Sequence, residues 1–182
     1  MEILDTDNIR KQSQVEYANF GHRLLASLVD FLVIAVPIGG TIYFGFMEKN
    51  MMLMLMCTII TGLYKPLMEG TFSATVGKMV VGIKMVDSDY ENLDLVQSFT
   101  KNGIYLISSA ISVLSAFWMF GVDEFLDAEG FLESSMAAQG NPYQLISSIW
   151  GFVILISCFM MLASDKKQTL HDRIASTFCI RN

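Results

Sequence analysis

An all-α membrane protein with four transmembrane helices and a small cytoplasmic cap, held by a short strand pair, is the fold this sequence predicts. Three observations predict it. Apolar residues make up 53% of the 182 residues and charged residues only 16%, whereas about a quarter of a typical soluble domain is charged. Four stretches approach the roughly 20 apolar residues that a helix needs to cross a 30 Å hydrocarbon core. Eleven of the twelve Lys and Arg residues fall on one side of those stretches.

The spans cover residues 24–46, 50–68, 103–122 and 143–163. The first contains Asp30. The second is uncharged only to Tyr64 and reaches a workable length with Lys65 snorkelling at its end. In all four, apolar residues surround the helix instead of forming one stripe, as suits helices in lipid. Lipid offers the backbone no hydrogen-bond partners, and four segments of this length cannot close a barrel, so the spans must be helical. Pro37, followed by Gly39 and Gly40, predicts a kink or a hinge in the first span. Ser108, Ser109, Ala110, Ser112, Ser115 and Ala116 give the third span small residues for close helix packing, or a polar lining.

Orientation follows from the bases. Arg10, Lys11 and Arg23 precede the first span. Lys65, Lys78, Lys84 and Lys101 separate the second from the third, and Lys166, Lys167, Arg173 and Arg181 follow the fourth. Only Lys49 lies on the other side. The expectation is a multi-pass protein of the cell (inner) membrane with both termini cytoplasmic, residues 1–20 forming a tail and 21–182 the membrane domain. Residues 1–19 lack an apolar core, so no signal peptide is expected. The loop between the third and fourth spans then faces outward. It holds Asp123, Glu124, Asp127, Glu129 and Glu133 and no base. Its Phe125, Leu126, Phe131, Leu132 and Met136 fit a segment lying on the membrane surface.

On the cytoplasmic side, residues 79–86 read as a short strand and Asp87 to Asp89 as a turn. Leu93, Val96 and Phe99 mark an amphipathic helix leading into the third span. Thr169 to Asp172 has the form of a helix N-cap with an acid at the third position. Residues 176–180 are expected to extend and pair with the 79–86 strand. Gly70 to Lys78 fails as a phosphate loop, because six residues separate Gly70 from Gly77 and Met79 follows Lys78. Thr75 to Lys78 reads as a turn into an interfacial segment, with Lys78 and Lys84 contacting anionic lipid head groups.

The net charge of −6 excludes a nucleic-acid footprint. Cys57, Cys158 and Cys179 have no metal or disulfide spacing, and His22 and His171 have no ligand spacing. No nucleophile–base arrangement is readable. The expectation is therefore no enzyme, no catalytic residue, no cofactor and no metal.

Three stretches carry a family resemblance. RLLASLVD runs from Arg23 to Asp30. Glu69-Gly70, TVGK from Thr75 to Lys78 and GIKMVD from Gly82 to Asp87 follow, and LHDRIAST runs from Leu170 to Thr177. In this order they resemble the RDD family, membrane proteins named for one arginine and two aspartates, from about residue 17 to the end. The resemblance assigns Arg23 and Asp30 to the first two of those positions and Asp172, with Asp87 as the less favoured choice, to the third. It implies a polytopic membrane protein for which transport is the usual suggestion, some members having been linked to cation–proton exchange. The acidic loop and the Lys65-Pro66 pair depart from it.

The candidate functional polar residues are Arg23, Asp30, Lys65, Glu69 and Asp172. A carboxylate inside a span costs about 2.5–3.5 kcal/mol, so Asp30 must face protein or water. Arg23 stands seven residues before it, almost on the same face. Either Asp30 alternates between proton and cation, or it forms a structural pair with Arg23. Lys65 and Glu69, four residues apart, also share a face, with Pro66 distorting the turn between them. The functional expectation is a transporter or transporter component for a cation or proton. The alternative is a non-catalytic membrane scaffold or assembly subunit binding a larger partner. Four spans are few for a complete pathway, so the expected partners besides the lipid bilayer are further copies of the chain or another membrane protein.

Overall fold

A computed structural model describes residues 15–160 and 167–181. Arg10, Lys11, Lys166 and the end of the fourth expected span, residues 161–163, lie outside the described residues.

Helix α1, Phe20–Ile42, runs through Pro37 and continues into a π-helical turn, Tyr43–Met47. The departure from α-helical geometry comes after the proline: the Glu48 N–H reaches the Tyr43 carbonyl and the Asn50 N–H the Phe44 carbonyl. Helix α2 is Met51–Phe72. The first helix with its π turn (28 residues) and α2 (22 residues) are each long and apolar enough to cross a membrane. The other two candidates are bent. Helix α4, Leu95–Lys101, meets α5, Gly103–Met119, at 65°, and the segment Gly130–Gly140 meets α8, Tyr143–Phe159, at 90°. By length and composition the described residues thus hold two spans, or four if each bent pair counts as one.

One sequence expectation is corrected between α2 and α4. Residues 79–86 are not one strand: Val76–Val81 forms helix α3, and only Ile83–Val86 is strand β1. The Thr75 hydroxyl, on extended backbone, accepts from the Lys78 N–H and starts the helix, and Gly82 stops it at φ 71° in the left-handed region. These are an N-cap and a glycine C-cap, and together they outweigh the strand preference of Val80 and Val81. The Asp87 turn forms as expected, its side chain accepting from the Asp89 and Glu91 amides.

The acidic loop holds two short helices that the sequence pattern did not reveal, α6 (Asp123–Asp127) and α7 (Gly130–Ala137), the latter running into a 3₁₀ turn. After α8 come α9, Leu170–Ile174, and β2, Phe178–Arg181. Strand β2 pairs antiparallel with β1, in the register Ile83 with Arg181 through Val86 with Phe178. This is the expected strand pair. Tyr17 bridges to Ile180 on the free edge of β2, and the Ala18 N–H donates to the Cys179 carbonyl. Ile83, Met85 and Cys179 pack with Ala18, Ala26 and Leu93 on one side. Val86, Phe178 and Ile180 pack with Val15, Tyr17 and Tyr90 on the other.

The chain divides into two compact units. The first comprises Met1–Val33, Lys65–Gly103 and Leu155–Asn182, and contains the strand pair. The second comprises Ile34–Tyr64 and Ile104–Ile154. Within the second unit α2 and α5 approach so closely at Gly62 that an added Cβ would lie 2.5 Å from the Ser109 hydroxyl. Ser109 thus serves packing. Ser108 and Ser112 hydrogen-bond to carbonyls of their own helix, and Trp150 donates to the Ile104 carbonyl.

Candidate functional site: a buried charge cluster

The first unit gathers five charged side chains. Arg23 on α1 binds Asp172 on α9, Nη1 to Oδ2 at 2.6 Å. Glu69, near the end of α2, is held from both sides: Lys78 of α3 reaches Oε1 and Lys101 of α4 reaches Oε2, each at 2.5 Å. Asn102 adds a hydrogen bond to Oε2 at 2.9 Å. Lys101 links the two groups, because its Nζ also lies 3.9 Å from Asp172 Oδ1. Glu69, Lys101 and Asp172 are 1%, 3% and 0% exposed. Three cations against two carboxylates leave the cluster with a formal charge of +1.

Local structure fixes each member. The Thr169 hydroxyl accepts from the Asp172 N–H while the Asp172 carboxylate accepts from the Thr169 N–H, a reciprocal capping box that starts α9. The same Oδ2 therefore accepts from the Thr169 amide (3.1 Å) and from Arg23. A second box, Asp94 with Gln97, starts α4 and delivers Lys101 at its end. The Ser98 hydroxyl ties α4 to α2 through the Pro66 carbonyl at 2.7 Å. Lys78 follows the Thr75 N-cap on α3.

Electrostatics follow from this packing. Burial alone would push the Asp172 carboxyl up, but Arg23 and then Lys101 outweigh it and hold the group well below the usual carboxylate range. Burial would lower Lys78, and Glu69 reverses this to keep it firmly protonated. His171, next to Asp172, is pushed down to about 4 by burial, with Lys101, Lys78 and Arg23 adding to the effect against the opposing pull of Asp172. Its Nδ1 lies 3.0 Å from the Ser157 hydroxyl.

Asp30 is placed differently. Its carboxylate, 3% exposed, accepts from the Thr75 hydroxyl at 2.7 Å and from the Gly77 N–H at 2.8 Å. It thus sits at the N-terminus of α3, where the helix dipole favours an anion. Gly77 makes room for this: a Cβ there would run into the Ala26 carbonyl oxygen. Arg23 therefore pairs with Asp172 and not with Asp30, because the capped α9 presents its acid to the guanidinium. Glu69 likewise is engaged by Lys78 and Lys101, not in the local Lys65 pair that its spacing suggested. Lys65 stands one turn before Glu69 on α2. The Lys78 ammonium, expected at lipid head groups, is turned onto Glu69. Lys84 is half-buried on β1, opposite Ile180. Sequence reasoning missed Lys101 and Asn102. A base flanking an apolar run reads as an orientation signal, and only the docking of α4 on α2, through Ser98 and the Pro66 carbonyl, brings that base to Glu69. Among the described residues no group of three or more His, Cys, Asp or Glu is placed to hold a metal ion.

Two helices of membrane-crossing length and apolar composition mark a helical membrane protein, and its first unit holds a buried, ion-paired charge cluster. Residues 17–176 match the RDD family, and the chain belongs to it. Comparison with characterised proteins and with solved structures returns no match.

Proposed function

We propose that this chain is a four-span protein of the inner membrane, both termini cytoplasmic, that serves as a transporter or transporter component for a proton or small cation. The supporting observation is the position of Lys101 between two buried carboxylates. It is bound to Glu69 at 2.5 Å and stands 3.9 Å from Asp172 Oδ1. A resident ammonium so placed is a counter-ion that an incoming charge can displace. Arrival of a cation at Glu69 weakens the grip on Lys101 and favours its passage to Asp172. Departure of that charge restores the first state. Such a swap would supply the second of the two discrete arrangements that ion exchange requires. The bases that set the orientation are those of the cluster and its flanks, so on this reading the cluster stands at the cytoplasmic end of the spans. With so few spans, a pathway needs further copies of the chain or a membrane-protein partner.

The test is ion flux in vesicles containing the purified protein, driven by a pH gradient and read across a panel of monovalent and divalent cations. Lys101→Gln and Asp172→Asn are expected to abolish the flux. Asp30→Asn is expected to leave it measurable, because the Asp30 carboxylate caps α3. Absence of flux from the wild-type chain in every cation would overturn the reading. The alternative, a non-catalytic scaffold, draws support from the Asp30 arrangement, where a buried carboxylate accepts from the Thr75 hydroxyl and the Gly77 N–H. It gains if the wild-type chain is silent and co-purifies with a fixed membrane partner.

A further inference from the structure

Helix α7 is built inside out. Its buried residue is Ser134, whereas Leu132 and Met136, one helical turn apart, are 68% and 59% exposed. In water the opposite arrangement is the stable one. The inward face is polar for a visible reason. Ser134 Oγ accepts from Lys49 Nζ at 2.5 Å and donates to the Gly130 carbonyl at 2.6 Å. Lys49 also donates to the Phe125 carbonyl at 2.8 Å and stands 3.8 Å from the centroid of the Phe125 ring. Phe125 is fully buried, with Phe46 and Phe120 edge-on at 5.8 and 5.5 Å. Lys49 thus draws the polar side of α7 inward, and the helix cannot turn Ser134 outward without unpairing that ammonium. Leu126 of α6 and Phe131 of α7 are exposed as well.

The surroundings say what covers this surface. Between Gly130–Gly140 and α8 the chain turns by 90°, so with α8 across a bilayer α7 lies along the bilayer's face. Helix α8 continues the apolar surface with exposed Leu145, Ile149 and Phe152. Tyr143 opens α8, and Trp118, at the end of α5, lies 3.5 Å from where a Cβ on Gly140 would sit. These are the aromatic types that settle where hydrocarbon meets water. Asp123, Glu124, Asp127, Glu129 and Glu133 are all exposed, and the loop has no base. Such a loop is repelled by anionic head groups and suits zwitterionic ones.

We infer that α6 and α7 form an interfacial anchor, in which Leu126, Leu132 and Met136 insert into a zwitterionic lipid surface at the end of the spans. This rests on the reading that the apolar helices cross a bilayer, and the test separates the two. Nitroxide labels are placed in the full chain, with Cys57, Cys158 and Cys179 replaced by serine, through Leu132→Cys, Met136→Cys, Ile149→Cys and Glu124→Cys. The protein is reconstituted in phosphatidylcholine vesicles, and collisions with oxygen and with a water-soluble nickel chelate are compared. Labels at 132 and 136 are expected to resemble the one at 149, with an oxygen-to-chelate ratio several-fold above that at 124. If 149 reads as lipid while 132 and 136 read as water, the anchor is refuted and the spans stand. If 149 also reads as water, the spanning reading itself falls. Spin–spin broadening at 132 that vanishes on dilution with unlabelled protein would assign the surface to a second copy and overturn the proposal. A benzophenone amino acid at position 132 of the otherwise native chain covers the case in which the serine variant does not fold. Illumination in the same vesicles is expected to yield lipid adducts, and adducts to protein alone would refute the anchor.

Discussion

The two units solve the problem of polar groups in a greasy chain in opposite ways. The first concentrates charge. Arg23, Glu69, Lys78, Lys101 and Asp172 pair three cations with two carboxylates in a largely buried cluster. The second disperses polarity: its hydroxyls bond back to helix carbonyls, and its one ammonium, Lys49, is spent on a carbonyl, a hydroxyl and a ring face. Close approach there depends on absent side chains, as at Gly62. The difference teaches where each unit is brittle. A network of unlike charges fails when one sign is removed, because the survivors stay buried without a partner. A glycine-lined contact fails when volume is added.

Substitutions can break this contrast, and the largest effect belongs to Glu69→Gln. It strands Lys78 and Lys101 together and should cost about 5 kcal/mol in detergent-solubilised unfolding, the upper end for breaking a buried pair. Asp172→Asn follows at about 3 kcal/mol. Combining it with Arg23→Gln should cost less than the two single changes added together, since the double variant strands no charge. Equal additivity in that cycle would mean that the pair is not coupled.

A pH titration sharpens the same point. Folding holds His171 neutral down to about pH 4, while the unfolded chain takes up its proton near 6.5. Between these values the unfolded state binds the extra proton, so stability falls as pH drops through that window and is restored above it. The loss should be on the order of 3 kcal/mol, and His171→Gln should flatten the slope there. Asp172, with its depressed carboxyl, acts in the same direction but at lower pH, below the ordinary carboxylate range.

Changes in the second unit should be milder. Gly62→Ala, which forces α2 away from Ser109, should cost about 1.5 kcal/mol. Lys49→Met should cost about 1 kcal/mol, from one charged hydrogen-bond donor and a cation–π contact. Its clearer readout is protease access to α6 and α7, which lose their pin. If Lys49→Met proved as damaging as Glu69→Gln, the contrast between the units would not hold.

What was legible in the sequence divides along the same physical line. Helices α1 and α2 were plain, because a largely apolar run of that length, with one or two charges in it, leaves the backbone few alternatives. The Thr169 cap was plain too, since its partners lie within one turn, and so was the meeting of the strand near Val86 with the tail. Helix α3 was hidden: Val80 and Val81 favour a strand, and the deciding groups are single residues at either end, Thr75 and Gly82. Helix α7 was hidden because its apolar residues face outward, so its pattern signals no core-facing stripe. The cluster was visible as a set of candidates but not as a set of pairs. Seven residues separate Arg23 from Asp30 and 149 separate it from Asp172, and spacing favours the near choice. The far pair forms because Asp30 is claimed by Thr75 and Gly77, an arrangement that only the folded chain reveals.

That long separation has a consequence for how the protein is made. Arg23 leaves the ribosome 149 residues ahead of the acid that answers it, a delay on the order of ten seconds at ordinary elongation rates. For that interval the opening helix carries a cation with no native mate, and the closing segment of the polypeptide acts as its last stitch. A ribosome stalled short of Asp172 would leave an unfinished product in which that guanidinium lacks its native carboxylate.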